Sequence, residues 1–245
     1  MQCINTVILG IIWFALLCSP WLRADDTPDD ARTALQPFNE WIGAWKATGT
    51  PESGSTAERQ RGFWKETWQF GWQFKGKQCW IQISIKDGKH YQSGSIHYLE
   101  KANAYELTLM PKEKNAPEEK YVGQFASNNR RFIAERTDEE QKEVHRITLQ
   151  LIGEIRASYS MERRPVSRKQ FSKQYTVTAT REGESLAGSK KSNQPECVVS
   201  GGLGTIAVSY KGMTYYVCCT GCRDAFNEDP EKYIKEFETK KKKDK

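Results

Sequence analysis

Two neighbouring segments, Trp64–Phe74 (WKETWQFGWQF) and Cys79–Ile85 (CWIQISI), alternate apolar and polar side chains. Alternation with a period of two is typical of β-strands that bury one face. In the second segment the three isoleucines share one face, and the residues between them, Gln82 and Ser84, share the other. Each segment is followed by a turn that contains glycine. The pair therefore predicts two strands of an antiparallel sheet.

The same pattern continues along the chain to about Gly183. Further strands are predicted at Ser93–Leu99, Ala104–Met110, Lys120–Phe125, Arg131–Arg136, His145–Leu151, Arg156–Glu162 and Tyr175–Arg181. Nine or ten consecutive strands with short connections indicate an antiparallel meander, and a meander of this length closes because closure removes exposed edges. We therefore predict a mainly β chain in which residues 37–183 form an antiparallel up-and-down β-barrel.

The first predicted strand lies in Phe38–Gly49 (FNEWIGAWKATG), and this segment resembles the opening of lipocalin-like barrels. In those barrels a Gly-x-Trp motif on the first strand closes the base, and the matching residues here are Gly43 and Trp45. The resemblance implies that Tyr175–Gly183 (YTVTATREG) is the closing strand and that the barrel encloses a cavity for a small apolar ligand. The aromatic residues of Phe63–Phe74 could line such a cavity, but in a small barrel they more often fill the core.

The predicted barrel shows no catalytic motif. His90, His97 and His145 have no metal-ligand spacing and are interpreted as ordinary strand or turn residues. Cys79 lies in a strand and is interpreted as a small buried apolar residue. We therefore expect no catalytic and no cofactor-binding residues, and a protein that is not an enzyme.

After a polar linker, residues 184–195 (ESLAGSKKSNQP), the sequence changes character. Residues 196–238 hold four cysteines and too few apolar residues for a large core, so a disulfide or metal is expected to stabilise them. Strands near Ile206–Tyr210 and at Thr214–Val217 predict a hairpin, followed by helical segments Arg223–Asn227 and Pro230–Glu238. Asp229 is the expected N-cap of the second helix, with proline at its first position.

The four cysteines are Cys197, Cys218, Cys219 and Cys222, which include a Cys-x20-Cys-x3-Cys pattern. The hairpin can return the chain to its start, and the last three cysteines fall at a strand-to-helix turn. Helix N-termini favour thiolates, and thiolates are the form that binds soft ions such as Cu(I) or Zn(II).

The region also resembles the YHS and TRASH family of small heavy-metal-binding modules. The matching residues are Cys197-Val-Val-Ser-Gly201, Tyr210-Lys-Gly212, Tyr215-Tyr216, Cys218 with Cys222, Phe226, Asp229-Pro230 and Tyr233. The resemblance implies that Cys197, Cys218 and Cys222 are the metal ligands. Cys219 stands where the family commonly has serine, so it is either an auxiliary ligand or a redox partner, and Val198 replaces a frequent proline.

Two other interpretations of the thiols remain open. Four cysteines of an exported module can form disulfides, which would leave the barrel as a ligand carrier with a stapled C-terminus. Alternatively, Cys219-Thr-Gly-Cys222 could be a thiol–disulfide active site, although the βαβ context typical of that motif is absent. We favour the metal site because it accounts for both the spacing and the helix.

The N-terminus predicts export. Val7–Leu17 (VILGIIWFALL) has the length of a signal-peptide apolar run, and cleavage is expected after Ala24, before Asp25-Asp26. No Lys or Arg precedes the run, and a retained anchor or a lipid on Cys18 is the alternative. Residues 25–36 are a polar lead-in, and the mature chain is expected to be periplasmic or secreted with no transmembrane segment.

Composition limits the remaining partners. The chain has 245 residues, 38% of them hydrophobic and eight of them Trp, which is enough for a packed core. The net charge of +6 is mild, and much of it lies in the Lys-rich tail at residues 239–245. No basic stripe with interleaved aromatics is present, so nucleic-acid binding is not expected. The expected partner is one soft heavy-metal ion, copper or zinc.

Overall fold

The computed structural model describes residues 28–126, 129–183 and 194–243. The predicted signal peptide with its cleavage position at Ala24, the first residues of the lead-in and most of the 184–195 linker lie outside the described residues.

Within those residues, ten strands form a closed barrel in which every strand pairs antiparallel with its sequence neighbours and the first pairs with the last. The strands are β1 (Gly43–Pro51), β2 (Trp64–Lys75), β3 (Gln78–Lys86), β4 (Tyr91–Leu99), β5 (Ala104–Pro111), β6 (Glu119–Phe125), β7 (Arg131–Asp138), β8 (Glu143–Ile152), β9 (Arg156–Pro165) and β10 (Ser172–Arg181). The mainly β fold and the up-and-down barrel predicted from the sequence are confirmed. The closed barrel also fits the lipocalin-like resemblance.

Three helical segments lie where the sequence did not predict them, and one of them is a 3-10 turn at Glu100–Ala102 between β4 and β5. Residues Gln36–Trp41 form a 3-10 helix, although the strand-like pattern was taken to begin at Phe38. Phe38 and Trp41 are both buried, because the 3-10 helix lies across the end of the barrel and contacts its core. A short helix, α2 (Thr56–Arg61), follows β1, and its capping box, formed by Ser55 and Glu58, is a signal that the sequence analysis overlooked.

Aromatic side chains fill the interior. Trp45, Trp68, Phe70 and Trp72 are all at most 3% exposed. The cavity left among the residues around Trp68 has a volume of only about 30 Å³. Trp68, Phe70 and Trp72 of β2 therefore fill the core, whereas Trp64, at the start of the strand, lines a pocket at the other end of the barrel.

The end of the barrel that the 3-10 helix covers is closed around Trp45. Its indole Nε1 donates a hydrogen bond to the carbonyl oxygen of Trp41 at 2.8 Å. The guanidinium of Arg181 lies over the indole ring, 4.3 Å from its centroid, and donates to the carbonyl oxygen of Ile42 at 2.7 Å. Arg181 comes from the end of β10, so these contacts join the two strands that close the barrel.

The cysteine-rich region follows as a hairpin and two helices. They are β11 (Ile206–Tyr210), β12 (Met213–Val217), α3 (Thr220–Glu228) and α4 (Pro230–Lys243). Asp229 caps α4 as predicted, because its Oδ1 accepts from the backbone N–H of Lys232 at 3.1 Å. The helix continues into the predicted tail as far as Lys243. We call residues 196–238 the module.

The module packs against the same end of the barrel that the 3-10 helix closes. Phe226 and Cys222 belong to one continuous cluster of buried residues with Trp72 and Phe38. A further helix, α1 (Pro28–Leu35), joins the two regions, since Arg32 forms an ion pair with Glu236 of α4 at 2.8 Å. From the sequence only a polar linker was predicted between the two regions, and their packing was not.

None of the helices in the described ranges is long and apolar enough to cross a membrane.

Phe38 provides a test of the closed end. Its ring centroid lies 4.6 Å from that of Phe125 and 5.4 Å from those of Tyr105 and Phe132. We expect Phe38→Ala to lower the free energy of unfolding by about 3–5 kcal/mol, because the substitution leaves a cavity in a packed aromatic cluster. Urea denaturation followed by circular dichroism measures this change.

Phe63→Ala is the matched control. Phe63 is 55% exposed, so its truncation should change the free energy of unfolding by at most about 0.5 kcal/mol. Equal losses for the two variants would contradict the assignment of the 3-10 helix to the core.

Candidate metal centre

Cys197 lies in a tight turn that precedes the hairpin. The backbone N–H of Gly201 donates to the carbonyl oxygen of Cys197 at 2.9 Å, and Gly201 has a φ of +74°, which glycine adopts without strain. The N–H of Val198 donates to the carbonyl oxygen of Tyr216 in β12 at 2.9 Å. These bonds hold the turn, and with it the first thiol, beside the end of the second hairpin strand.

The other three cysteines follow that strand directly. Cys218 comes after the last residue of β12, Cys219 is the N-cap of α3, and Cys222 lies in the first turn of the helix. The sulfur atoms of Cys218 and Cys222 are 3.5 Å apart. The strand-to-helix turn expected from the sequence therefore brings these two thiols together.

The sulfur atoms of Cys197, Cys218 and Cys222 all lie within 4.8 Å of one another. Metal–sulfur bonds of about 2.3 Å place the sulfurs of a tetrahedral site about 3.8 Å apart, so the donor set fits one soft ion. Cys219 is not part of this set, although its sulfur lies 3.9 Å from that of Cys218. No other group of three potential metal ligands occurs in the part of the chain that the structure describes, and none of the three histidines belongs to this one.

The thiols are buried and surrounded by hydrogen-bonding groups. Cys197 and Cys222 are fully buried, and Cys218 is 8% exposed. Ser200 contacts two of the thiols: its backbone N–H donates to the Cys197 sulfur at 3.4 Å, and its hydroxyl lies 3.3 Å from the Cys218 sulfur. Ser200 is itself 1% exposed. It therefore orients both sulfurs from inside the turn.

The pKa values of the clustered thiols are shifted in opposite directions. Hydrogen bonds from Cys218 and then Cys222 hold the pKa of Cys197 well below its usual value, and the same two thiols lower the pKa of Cys219. Burial raises the pKa of Cys222 well above its usual value. The cluster thus stabilises thiolates beside proton-donating thiols, and an ion with a positive charge can replace the shared protons. Cys79, in the barrel, shows the contrasting case, since burial raises its pKa to about 11.

A backbone edge of the barrel faces the site. Strand β2 runs to Lys75, but β1 pairs with it only as far as Phe70. The N–H of Trp72, beyond that point, donates to the sulfur of Cys219 at 3.3 Å. Cys219 therefore satisfies a buried backbone donor that β1 leaves without a strand partner.

A glycine in α3 allows this close approach. A β-carbon added to Gly221, in the first turn of α3, would lie 1.7 Å from the carbonyl oxygen of Trp72. On the barrel side, a β-carbon at Gly71 would lie 4.0 Å from that of Cys219, an ordinary contact, so the approach depends on Gly221. The start of α3 therefore lies directly against the backbone of β2.

Asn39, in the 3-10 helix, forms a second connection. Its Oδ1 accepts from the indole Nε1 of Trp72 at 2.9 Å, and its Nδ2 donates to the carbonyl oxygen of Ser200 at 3.0 Å. Asn39, Trp72 and Ser200 were not predicted from the sequence to be parts of the site. Only Ser200 carried a signal, since it lies within the motif that follows Cys197.

Comparison with known proteins supports the assignment of the module. Residues 205–236 match the YHS domain family, a segment that includes Cys218, Cys219 and Cys222 but begins after Cys197. No curated protein is significantly similar to the chain. Among solved structures, the chain is similar to the crystal structure of Rv2717c from M. tuberculosis, with 17% sequence identity and a TM-score of 0.37 over 61% of this chain and 97% of that one.

The C-terminal region thus carries a YHS domain with three clustered cysteine thiols, which supports a general metal-handling role. All five cysteines within the described ranges are free thiols.

Gly221→Ala tests the contact between the module and the barrel. In an ordinary helix this substitution adds stability, by up to about 1 kcal/mol. Here the added methyl group would collide with the Trp72 carbonyl oxygen, so we expect a loss of about 1–3 kcal/mol in the free energy of unfolding. Urea denaturation monitored by tryptophan fluorescence measures it.

Thr220→Ala is the control, because Thr220 is exposed and directly precedes Gly221 in the same helix. It should leave stability within about 0.5 kcal/mol of the wild type. A stabilising effect of Gly221→Ala would show that α3 does not lie against β2.

Proposed function

We propose that this protein binds one soft metal ion, Cu(I) or Zn(II), through the thiolates of Cys197, Cys218 and Cys222. The observation that carries the proposal is the approach of three buried sulfurs to within 4.8 Å of one another, two of which, those of Cys218 and Cys222, lie in the segment that matches the YHS domain. Sulfur ligands select soft and borderline ions, and the described cluster contains no oxygen or nitrogen ligand that would favour a hard cation.

The residues around the thiols suit binding better than catalysis. The cluster thiols form hydrogen bonds with one another, with Ser200 and with the backbone N–H of Trp72. A bound ion would supply the positive charge that balances the thiolates. Three thiolates complete a trigonal Cu(I) site, whereas Zn(II) prefers a fourth ligand, which would be Cys219, water or another residue. We therefore propose a protein that holds or transfers the ion and is not an enzyme.

The redox alternative receives little support from the geometry. A thiol–disulfide active site needs an accessible sulfur that can attack a disulfide in a partner. Cys219 is 7% exposed and Cys222 is fully buried. The burial of both sulfurs fits a closed ion site better than an exchange site.

The ligand-carrier alternative receives little support from the interior of the barrel. Small-molecule sites usually have volumes of about 300–1,000 Å³, and the described apolar cavity has about 30 Å³. A larger pocket of about 540 Å³ lies at the barrel mouth opposite the module, and it is lined both by aromatic residues such as Trp64 and Tyr175 and by charged residues such as Glu119. The packed core around Trp68 thus does not favour an apolar ligand, and this mouth is where the carrier alternative would have to place one.

Serine substitutions test the ligand set. We expect Cys197→Ser, Cys218→Ser and Cys222→Ser each to weaken metal binding by more than the roughly 10–100-fold that is typical of changes outside the ligand set, because each removes a thiolate. Cys219→Ser should weaken it less. Protein purified anaerobically, with metal content determined by atomic spectrometry and affinity by competition with a chelator, provides the measurement.

Cys79→Ser is the matched control, since Cys79 is a buried thiol of the barrel outside the cluster. It should bind metal as the wild type does. Wild-type protein that neither contains nor takes up Cu(I) or Zn(II), or complete loss of binding in Cys219→Ser alone, would contradict the assignment and favour disulfides.

We also propose that the protein is exported and cleaved after Ala24, which would place the site in the periplasm or outside the cell. The support is the apolar run Val7–Leu17 followed by a small residue before Asp25-Asp26. N-terminal sequencing of the protein from its native compartment should give a chain that begins near Asp25. An intact Met1, or a lipid attached to Cys18, would refute cleavage at this position.

A further inference from the structure

We propose that the metal centre is built jointly by the module and the barrel, with Asn39 and Cys219 as positioning residues that orient the three thiolates through Trp72. This inference rests on the proposed function, because it concerns the same three ligands. It assigns the barrel a direct part in the site and assigns Cys219 a role other than ligation.

The first connection is the hydrogen bond from the backbone N–H of Trp72 to the sulfur of Cys219 at 3.3 Å. Cys219 is the N-cap of α3, the helix that carries Cys222 in its first turn. The hydrogen bond between β2 and Cys219 therefore helps to set the position of Cys222 relative to the barrel. Because Gly221 also lies against the Trp72 backbone, the first turn of α3 is held at two points.

The second connection reaches the cluster through Asn39 and Ser200. The Trp72 indole donates to Asn39, Asn39 donates to the carbonyl oxygen of Ser200, and Ser200 contacts the sulfurs of Cys197 and Cys218. Trp72 is fully buried in the barrel core. Trp72 is thus linked by hydrogen bonds to Cys219 directly and, through Asn39 and Ser200, to Cys197 and Cys218.

A third contact holds the turn that contains Ser200. Arg32 of α1 donates to the carbonyl oxygen of Val199 at 3.4 Å and pairs with Glu236 of α4 at 2.8 Å. The turn after Cys197 therefore forms hydrogen bonds with both the 3-10 helix and α1. These two elements, which precede the first barrel strand, hold the turn in position.

Cys219 borders the ligand set without joining it. Its sulfur lies 3.9 Å from that of Cys218 but is not within 4.8 Å of all three ligand sulfurs, and it accepts a hydrogen bond from outside the module. A residue that orients ligands without binding the ion is expected to change affinity by about 10–100-fold while leaving the number of coordinated sulfurs unchanged.

The experiment uses the full chain and compares Asn39→Ala, Cys219→Ala and Cys219→Ser with the wild type. For protein loaded with Zn(II) and, separately, with Cu(I), affinity is measured by chelator competition and the number of sulfur ligands by X-ray absorption. We expect Asn39→Ala and Cys219→Ala to bind about 10–100-fold more weakly with an unchanged sulfur number. Cys219→Ser should recover part of the loss, because its hydroxyl can accept from the Trp72 N–H.

Hydrogen exchange of the Trp72 amide provides a readout that does not depend on metal. In the metal-free protein this amide should exchange faster in Cys219→Ala than in the wild type and in Cys219→Ser. Ile147→Ala is the control for general destabilisation, since Ile147 is 1% exposed in the core on β8 and has no part in the network. It should lower the stability of the fold but leave the affinity of the folded protein within about twofold of the wild type.

The outcomes separate the two proposals. Wild-type protein that takes up neither ion overturns the proposed function, and this inference with it. Uptake by the wild type with one sulfur fewer in Cys219→Ala shows that Cys219 is a ligand and overturns only the inference. Unchanged affinity in both alanine variants, or a loss in Ile147→Ala as large as theirs, also overturns the inference alone.

Discussion

The arrangement of the protein depends on which groups form hydrogen bonds with the backbone of β2 beyond its pairing with β1. Strand β2 extends beyond its pairing with β1, so the peptide groups after Phe70 have a strand partner only on the β3 side. Buried backbone groups must find hydrogen-bond partners, and an unpaired strand edge invites contact with another chain. The start of α3 covers this edge, with a thiol as the acceptor and a glycine at the point of closest approach. This contact covers the unpaired strand edge of the barrel and also fixes the position of the module on it.

The core of the barrel that supplies this edge is packed with large side chains. Trp41 and Trp45 close one end, and Phe38 packs in an aromatic cluster beside them. Close-packed interiors such as this aromatic core resist deformation. The surface that the barrel presents to the module is therefore fixed. A fixed surface suits ion binding, because sulfur positions must be held to within a fraction of an ångström.

The sequence predicted the features that depend on local patterns. Alternation identified the strands of the barrel, and Asp229-Pro230 identified the start of α4. The strand-to-helix turn predicted the approach of Cys218 to Cys222. The 3-10 helix at Phe38 was missed because its apolar residues serve the end of the barrel and follow no strand or helix period. The links from Trp72 to Cys219 and from Asn39 to Ser200 join residues 147 and 161 positions apart. No local pattern encodes such pairs, so they could be found only from the fold.

That separation along the chain has a consequence for the order in which the protein is made. Synthesis proceeds from the N-terminus, and domains generally fold as units in that direction. Asn39 and Trp72 precede Cys197 in the chain, and the last barrel strand ends at Arg181, also before it. Contacts between distant residues are normally slow to form, and a barrel that folds first would offer the module an ordered surface to meet. Such an order would bury the cysteines soon after the module reaches the barrel, which shortens the time during which exposed thiols could pair incorrectly.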